Sequence, residues 1–163
     1  MNKDGNKIKF YPDAVVGAKS VGVPGIIKLL EDTHKKFGKL AWNDLFGYAI
    51  ELSENGFSVS PALHNTLGYL SYLKTIEPAG SLYYKKNSDG EKVPAPIGHI
   101  LKNKEHAETL RRISLFGSQD FYEGKTAQLI IKALKEADKN SFMSLDDLKN
   151  YQVVWREPLC DLY

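Results

Sequence analysis

A chain of 163 residues with 42% hydrophobic and 26% charged side chains is long enough to bury a core of its own and has the composition of a soluble globular protein. Its 22 basic and 20 acidic side chains leave a net charge of +2, with Lys35-Lys36, Lys85-Lys86 and the Lys102 to Lys104 run dispersed, which argues against the single basic face of a nucleic-acid binder. The one cysteine, Cys160, excludes an intrachain disulfide and a cysteine-based metal cluster.

No apolar run reaches the roughly 18 residues of a membrane span, and Met1-Asn2-Lys3-Asp4-Gly5 leads into no apolar signal core. The expectation is either a cytosolic protein or a chain whose true N-terminus lies upstream. Val23-Pro24-Gly25 opens the first helix, because proline in the first turn gives up an N–H that has no partner there. Ile26, Ile27, Leu30 and Phe37 then recur at helical spacing up to Gly38. A second helix opens near Asn43, carries Leu45, Ala49 and Leu52 on one face, and stops at Gly56 as a left-handed cap. Ser60-Pro61 starts a third, the serine hydroxyl accepting a free N–H, with the stripe Leu63, Leu67, Leu70 and Leu73.

Ser81-Leu82-Tyr83-Tyr84 reads as a strand and Asn87-Ser88-Asp89-Gly90 as a turn, giving an exposed hairpin or loop. Pro94 and Pro96 keep the following chain extended. Asn103 caps a fourth helix with Ala107, Leu110 and Ile113 inward, closed by Gly117. A short turn holds Phe121 and Tyr122. The fifth helix runs from Lys125 to Ala137, with Ala127, Ile130, Ile131 and Leu134 on one stripe. Ser144-Leu145-Asp146-Asp147 is a capping box before a short last helix, and Gln152-Val153-Val154-Trp155 reads as a strand. The sum is one unit, 1–163, mainly α with minor β and extended chain at both ends. Such strands find no partner inside the sequence, and unpaired strands are liabilities, so the ends are expected to be cuts through a larger fold.

Gly124-Lys125-Thr126 matches the end of a phosphate-binding loop. At position 119, where that loop needs its first glycine, stands Gln119, and no hydrophobic strand leads in. The stretch is read instead as a turn, with Phe121 and Tyr122 buried and Lys125 and Thr126 on the surface. Ser71-Tyr72-Leu73-Lys74 has the Ser-x-x-Lys spacing of penicillin-recognising enzymes without their accompanying Ser-Asp-Asn and Lys-Thr-Gly elements, and is read as helix surface. His34, His64, His99 and His106 include no pair one helical turn apart for a metal. Asp146-Asp147 and Glu51/Glu54 have the makings of paired acids, but acids at a helix start also complement its dipole. Ser20, Ser53, Ser60, Ser141 and Cys160 lie in no Gly-x-Ser-x-Gly elbow. Thr33, Thr66, Thr75, Thr109 and Thr126 lack the free α-amine that activates an N-terminal threonine. No catalytic, cofactor-binding or metal residue is assigned.

The motifs occur in an informative order. Val21-Gly22-Val23-Pro24-Gly25 precedes His34-Lys35-Lys36-Phe37-Gly38-Lys39-Leu40-Ala41-Trp42. Ala49-Ile50-Glu51-Leu52 with Asn55-Gly56-Phe57 follows, then Gly117 to Phe121-Tyr122-Glu123-Gly124, then Leu145-Asp146-Asp147-Leu148 through Tyr151. This series resembles the large-subunit segment of gamma-glutamyltranspeptidases, the glutathione hydrolases. A departure is Lys139-Asn140-Ser141-Phe142, where the family often has a Gly-Gly pair. The resemblance implies a helical segment of an αββα N-terminal-nucleophile hydrolase fold. It further implies as partners the remainder of the large subunit and the small subunit, and glutathione or another γ-glutamyl compound as substrate of the full-length protein. No cofactor and no nucleic acid is implied, and the location would be periplasmic or extracellular. The family's substrate-carboxylate arginine lies upstream of this region. Its threonine nucleophile, Gly-Gly oxyanion segment and glutamyl-gripping serines lie downstream. No position here matches any of them.

Overall fold

The computed structural model describes residue 7, residues 17–139 and residues 141–160. Met1 to Gly5, the extended chain expected at the N-terminal end and Asn140 lie outside the described residues. The elements in chain order are α1 (Ile26–Phe37), α2 (Gly47–Asn55), β1 (Phe57–Ser58), α3 (Pro61–Tyr69), α4 (Ala79–Leu82), β2 (Tyr84–Lys86), β3 (Lys92–Pro94), β4 (Ile100–Leu101), α5 (Lys104–Phe116), α6 (Ser118–Glu123), α7 (Lys125–Ala137) and α8 (Leu145–Lys149). Short 3-10 turns lie at Ala18–Ser20, Trp42–Leu45 and Ser71–Thr75. The architecture is mainly α with minor β, as expected. Contacts gather into two compact units, one from Met1–Trp42 with Leu115–Tyr163 and one from Asn43–Ser114.

The first unit is helical. Its core is Tyr122, Ala127, Ile131, Met143 and Leu148, with Val23, Ile27, Phe121, Ile130, Leu134 and Tyr151 packed against it. α7 has the predicted bounds, and its apolar stripe supplies Ala127 and Ile131 to this core with Ile130 and Leu134 packed against it. α8 carries the predicted capping box: Ser144 Oγ accepts from Asp147 N–H at 3.2 Å, and Asp147 accepts from Ser144 N–H at 2.8 Å. Two expectations fail here. Phe121 and Tyr122 sit in a helix, α6, rather than a turn. Gln152-Val153-Val154-Trp155 takes no regular secondary structure among the described residues, because a strand exists only by its ladder and this one has no neighbour. The α1 stripe is also only partly used. Ile27 joins the core, whereas Ile26, Leu30 and Phe37 are exposed.

The second unit joins short helices to two small antiparallel sheets. β1 pairs with β4, placing Phe57 opposite Leu101, and β2 pairs with β3, placing Tyr84 opposite Pro94. Its core is Val59, Ala95 and Leu101 with Leu63, Leu82 and Tyr83 alongside. Ser60 Oγ accepts from Leu63 N–H at 3.1 Å and Asn103 Oδ1 from His106 N–H at 3.0 Å, so both predicted caps form. The predicted turn also holds: Asn87 Oδ1 accepts from Asp89 and Glu91 N–H, and Gly90 has φ +81.

Other expectations in this unit shift. Ser81 and Leu82 are helical, their N–H groups reaching back to the Pro78 carbonyl. The strand starts at Tyr84, and its hydroxyl donates to the carbonyls of Leu67 and Leu70 at 2.8 and 2.9 Å. That satisfies the C-terminal end of α3, which stops before Leu73. α2 opens at Gly47, leaving Leu45 and Ala49 exposed. Gly56 has the positive φ of +94 expected of a cap, but ψ 167 turns it straight into β1. A Cβ there would lie 2.9 Å from the Leu101 carbonyl oxygen.

Candidate functional site

Three of the marker stretches, around Pro24, Tyr122 and Tyr151, come together in the first unit. Tyr122, in α6, donates its hydroxyl to the Pro24 carbonyl at 2.6 Å and accepts the Lys28 N–H at 3.2 Å. Its ring stacks on Tyr151 with centroids 5.8 Å apart and planes 6° off parallel. Tyr151 in turn crosses Gly25 so closely that a Cβ there would sit 2.1 Å from the tyrosine oxygen. The Val-Pro-Gly turn, the Phe-Tyr-x-Gly stretch and the tyrosine beyond α8 are therefore one packed cluster, with Leu148 fully buried beneath it. Burial pushes the Tyr122 phenol above its ordinary pKa, the Lys28 N–H opposing and Tyr151 adding to the shift, so the hydroxyl keeps the proton it donates. Tyr122→Phe removes both hydrogen bonds and leaves the Pro24 carbonyl without its donor. It is expected to cost about 1–2 kcal/mol in chemical unfolding; an unchanged midpoint would show that water replaces the phenol.

Two carboxylates cap helices that lack a capping side chain of their own. Glu31, from α1, accepts the Ser118 N–H at 3.0 Å and the Ser118 hydroxyl at 2.7 Å, and pairs with Lys35 at 2.9 Å. It closes the N-terminal end of α6. Gly117 makes room for it: φ is +63, and a Cβ would lie 2.2 Å from Glu31 Oε1. Asp120 does the same for α7, accepting Lys125 N–H at 3.1 Å and the Thr126 hydroxyl. Thr126 is thus buried, not on the surface as expected. The place where a phosphate would meet a Gly-Lys-Thr loop holds the protein's own carboxylate. Neither Glu31, Ser118 nor Asp120 stood out in the sequence. The available signal was a glycine directly before each helix, with no Ser, Thr, Asp or Asn at the cap position.

Burial works to raise the Glu31 pKa, but hydrogen bonds from Lys35 and Ser118, with the Lys35 charge, outweigh it and hold the carboxyl below 4.5. Because the folded pKa is depressed, this contribution is complete above the unfolded value and is lost as pH falls through the folded one. The thermal midpoint is expected to drop on acidification below about pH 4.5, and Glu31→Gln should flatten that drop. An identical acid profile in the variant would remove Glu31 as its source.

The other candidates serve structure. His34 Nε2 donates to the Leu40 carbonyl at 2.9 Å beside Trp42, and His64 Nδ1 to the Ala95 carbonyl at 2.9 Å. In the Ser71–Thr75 turn, Thr75 bonds to the Tyr72 carbonyl and Lys92 to the Lys74 carbonyl. Glu54 pairs with Arg111. Ser53 and Ser141 donate to the Ala49 and Ala18 carbonyls, at 2.8 and 3.5 Å, and Cys160 is exposed. Among the described residues no group of three or more His, Cys, Asp or Glu gathers to hold a metal ion. Nor is any helix among the described residues long and apolar enough to cross a membrane.

Residues 2–163 match the family model described as gamma-glutamyltranspeptidase. The chain is 33% identical over 147 residues to a Pseudomonas aeruginosa glutathione hydrolase proenzyme, covering 90% of this chain and 24% of that protein. Among solved structures it resembles the Helicobacter pylori gamma-glutamyltranspeptidase, with TM-score 0.82 and 30% identity over 98% of this chain and 44% of that one. It also resembles the Bacillus anthracis transpeptidase CapD, with TM-score 0.70 and 32% identity over 85% of this chain and 45% of that one. The chain spans about a quarter of the length of the curated relatives it matches.

Proposed function

The chain belongs to the gamma-glutamyltranspeptidase family, and from that premise we propose that residues 1–163 act together as a positioning segment of a larger γ-glutamyl-transferring enzyme. It forms part of a large subunit and needs the remainder of that subunit and a small subunit to act. In the complete protein a threonine hydroxyl outside these residues attacks the γ-amide carbonyl of glutathione or a related compound. Its own α-amine takes the proton, and the glutamyl group passes through an ester to water or an amino acid. Backbone N–H groups stabilise the oxyanion. None of those groups is assigned to this chain.

The observation that carries this reading is the use made of the family-marking residues. Pro24, Gly25, Tyr122 and Tyr151 bond and pack against one another, rather than converging on a nucleophile. They hold α1, α6 and α8 in a fixed relation, as a scaffold does. Similarity to the CapD transpeptidase is nearly equal to that with glutathione hydrolases, so a sister activity, such as an acylase or a poly-γ-glutamate depolymerase, is the second reading. The acyl pocket that separates these activities is not assigned to this segment.

The test is release of a chromogenic amine from a γ-glutamyl anilide. The 163-residue chain alone is expected to give none above a denatured control. A chimera that carries it in place of the matched residues of the Pseudomonas aeruginosa glutathione hydrolase is expected to give turnover. Activity of the chain by itself would overturn the scaffold reading.

A further inference from the structure

The second unit, Asn43–Ser114, is an insertion: the chain leaves the first unit once, after Trp42, and returns to it once, at Leu115. Both crossings lie in water. Asn43, Asp44 and Leu45 are exposed on the way out, and Leu115 and Phe116 are 73% and 62% exposed on the way back. Loosening the chain at either place therefore uncovers little apolar surface that is not already solvated. α5 runs through the return, but its last residues carry that exposure and Gly117, with φ +63, follows its end. The final carbonyls of a helix have no partner within it, so this turn frays readily.

Each side of the crossings is tied down within its own unit. His34, in α1, holds the outgoing chain as far as Trp42, through the Leu40 carbonyl at 2.9 Å and an edge-on ring contact with Trp42 at 5.3 Å. Inside the insert the two ends are clasped to each other, Ser114 Oγ donating to the Asn43 carbonyl at 3.5 Å. Distant segments of the insert are joined as well: Asn103 N–H donates to the Ser53 carbonyl at 2.8 Å, Val59 N–H to the His99 carbonyl at 2.8 Å, and Arg111 pairs with Glu54. The insert thus has a closed neck, tertiary ties and a core of Val59, Ala95 and Leu101 of its own. The cluster of Pro24, Tyr122 and Tyr151 is built from the first unit.

A segment whose stabilising contacts are internal opens in one cooperative step without the rest of the chain. The insert's core is small beside the tyrosine-walled core of the first unit, and a smaller core is easier to open. We propose that residues 43–114 open as a cooperative unit of their own, closed at the Asn43–Ser114 neck, while the Pro24–Tyr122–Tyr151 cluster stays folded. The segment then carries a part that loosens without disturbing the scaffold its markers build. This goes beyond the proposed function and does not depend on it.

Native-state amide hydrogen exchange on the 163-residue chain tests the proposal. The hydrogen-bonded amides of Val59, Ala95 and Asn103 are expected to exchange as one group, faster than those of α7. Leu101→Ala, in the insert's core, is expected to speed that group at least about tenfold and leave α7 amides within about twofold. Leu148→Ala is expected to do the converse. An insert left wholly unfolded by Leu101→Ala, with α7 protection unchanged, is the same result in its extreme form. Both amide groups quickening by one factor in either variant would overturn the proposal, because the chain would then open as a single body. Unprotected α7 amides in the unsubstituted chain would overturn it too, since the first unit would not be the part that stays closed.

Discussion

Leu148→Ala is expected to lower stability by about 2–5 kcal/mol, the range for removing a large aliphatic side chain from a packed interior. Leu148 is fully buried, and its neighbours Tyr122, Ala127, Ile131 and Met143 come from α6, α7 and the segment before α8. The upper part of the range applies where the walls cannot move inward. Here one wall is Tyr122, tied to Pro24 and Lys28 by its hydroxyl and stacked on Tyr151, and another is the rigid stripe of α7. Denaturant unfolding measures the loss. A change under about 1 kcal/mol would show that the site collapses around the alanine, against the fixed geometry described above.

Gly124→Ala is expected to cost about 1–3 kcal/mol, as overpacking does, whereas Lys125→Ala should stay within about 0.5 kcal/mol. The glycine has φ −96, open to any residue, so conformational freedom is not the reason for it. Close approach is: a Cβ would lie 2.7 Å from the Asp120 Cα, 2.7 Å from Asp120 Oδ1 and 3.0 Å from the Asp120 carbonyl oxygen. Two of those atoms are backbone and cannot swing aside. Moving them displaces the carboxylate that caps α7 and receives the Thr126 hydroxyl, and a buried acceptor deprived of its donors is costly. Lys125 is exposed and contributes its backbone N–H, which alanine retains. Paired thermal melts decide the matter. Equal losses in the two variants would contradict this account, and a loss confined to Lys125→Ala would revive a phosphate-loop role for the lysine.

Gly124-Lys125-Thr126 shows how a local motif misleads. The three residues open a helix as they would in a phosphate loop, and the positive end of that helix does attract an anion. That anion is Asp120, one helical turn upstream, so the motif is complete within the protein. The Thr126 hydroxyl looked solvent-facing because its partner belongs to α6, whose existence was not legible. α6 itself depends on Glu31, 87 residues away from Ser118.

The sequence by itself determined the features whose interactions close within a helical turn or a tight loop. These are the bounds of α7, the caps at Ser60, Asn103 and Ser144, the Asn87–Gly90 turn, and the ordered series of markers that identifies the family. Each is settled by a side chain and a backbone group a few residues apart, so composition and spacing are enough to read it. Only the tertiary structure decided that Glu31 starts α6, that Pro24, Tyr122 and Tyr151 form one cluster, and that Ile26, Leu30 and Phe37 of the α1 stripe face outward. It also decided that 152–155 is chain without a ladder. Those outcomes depend on contacts between residues far apart in the chain, 98 positions in the Tyr122–Pro24 hydrogen bond and more between Gly25 and Tyr151, and their free energy exists only once distant segments have packed.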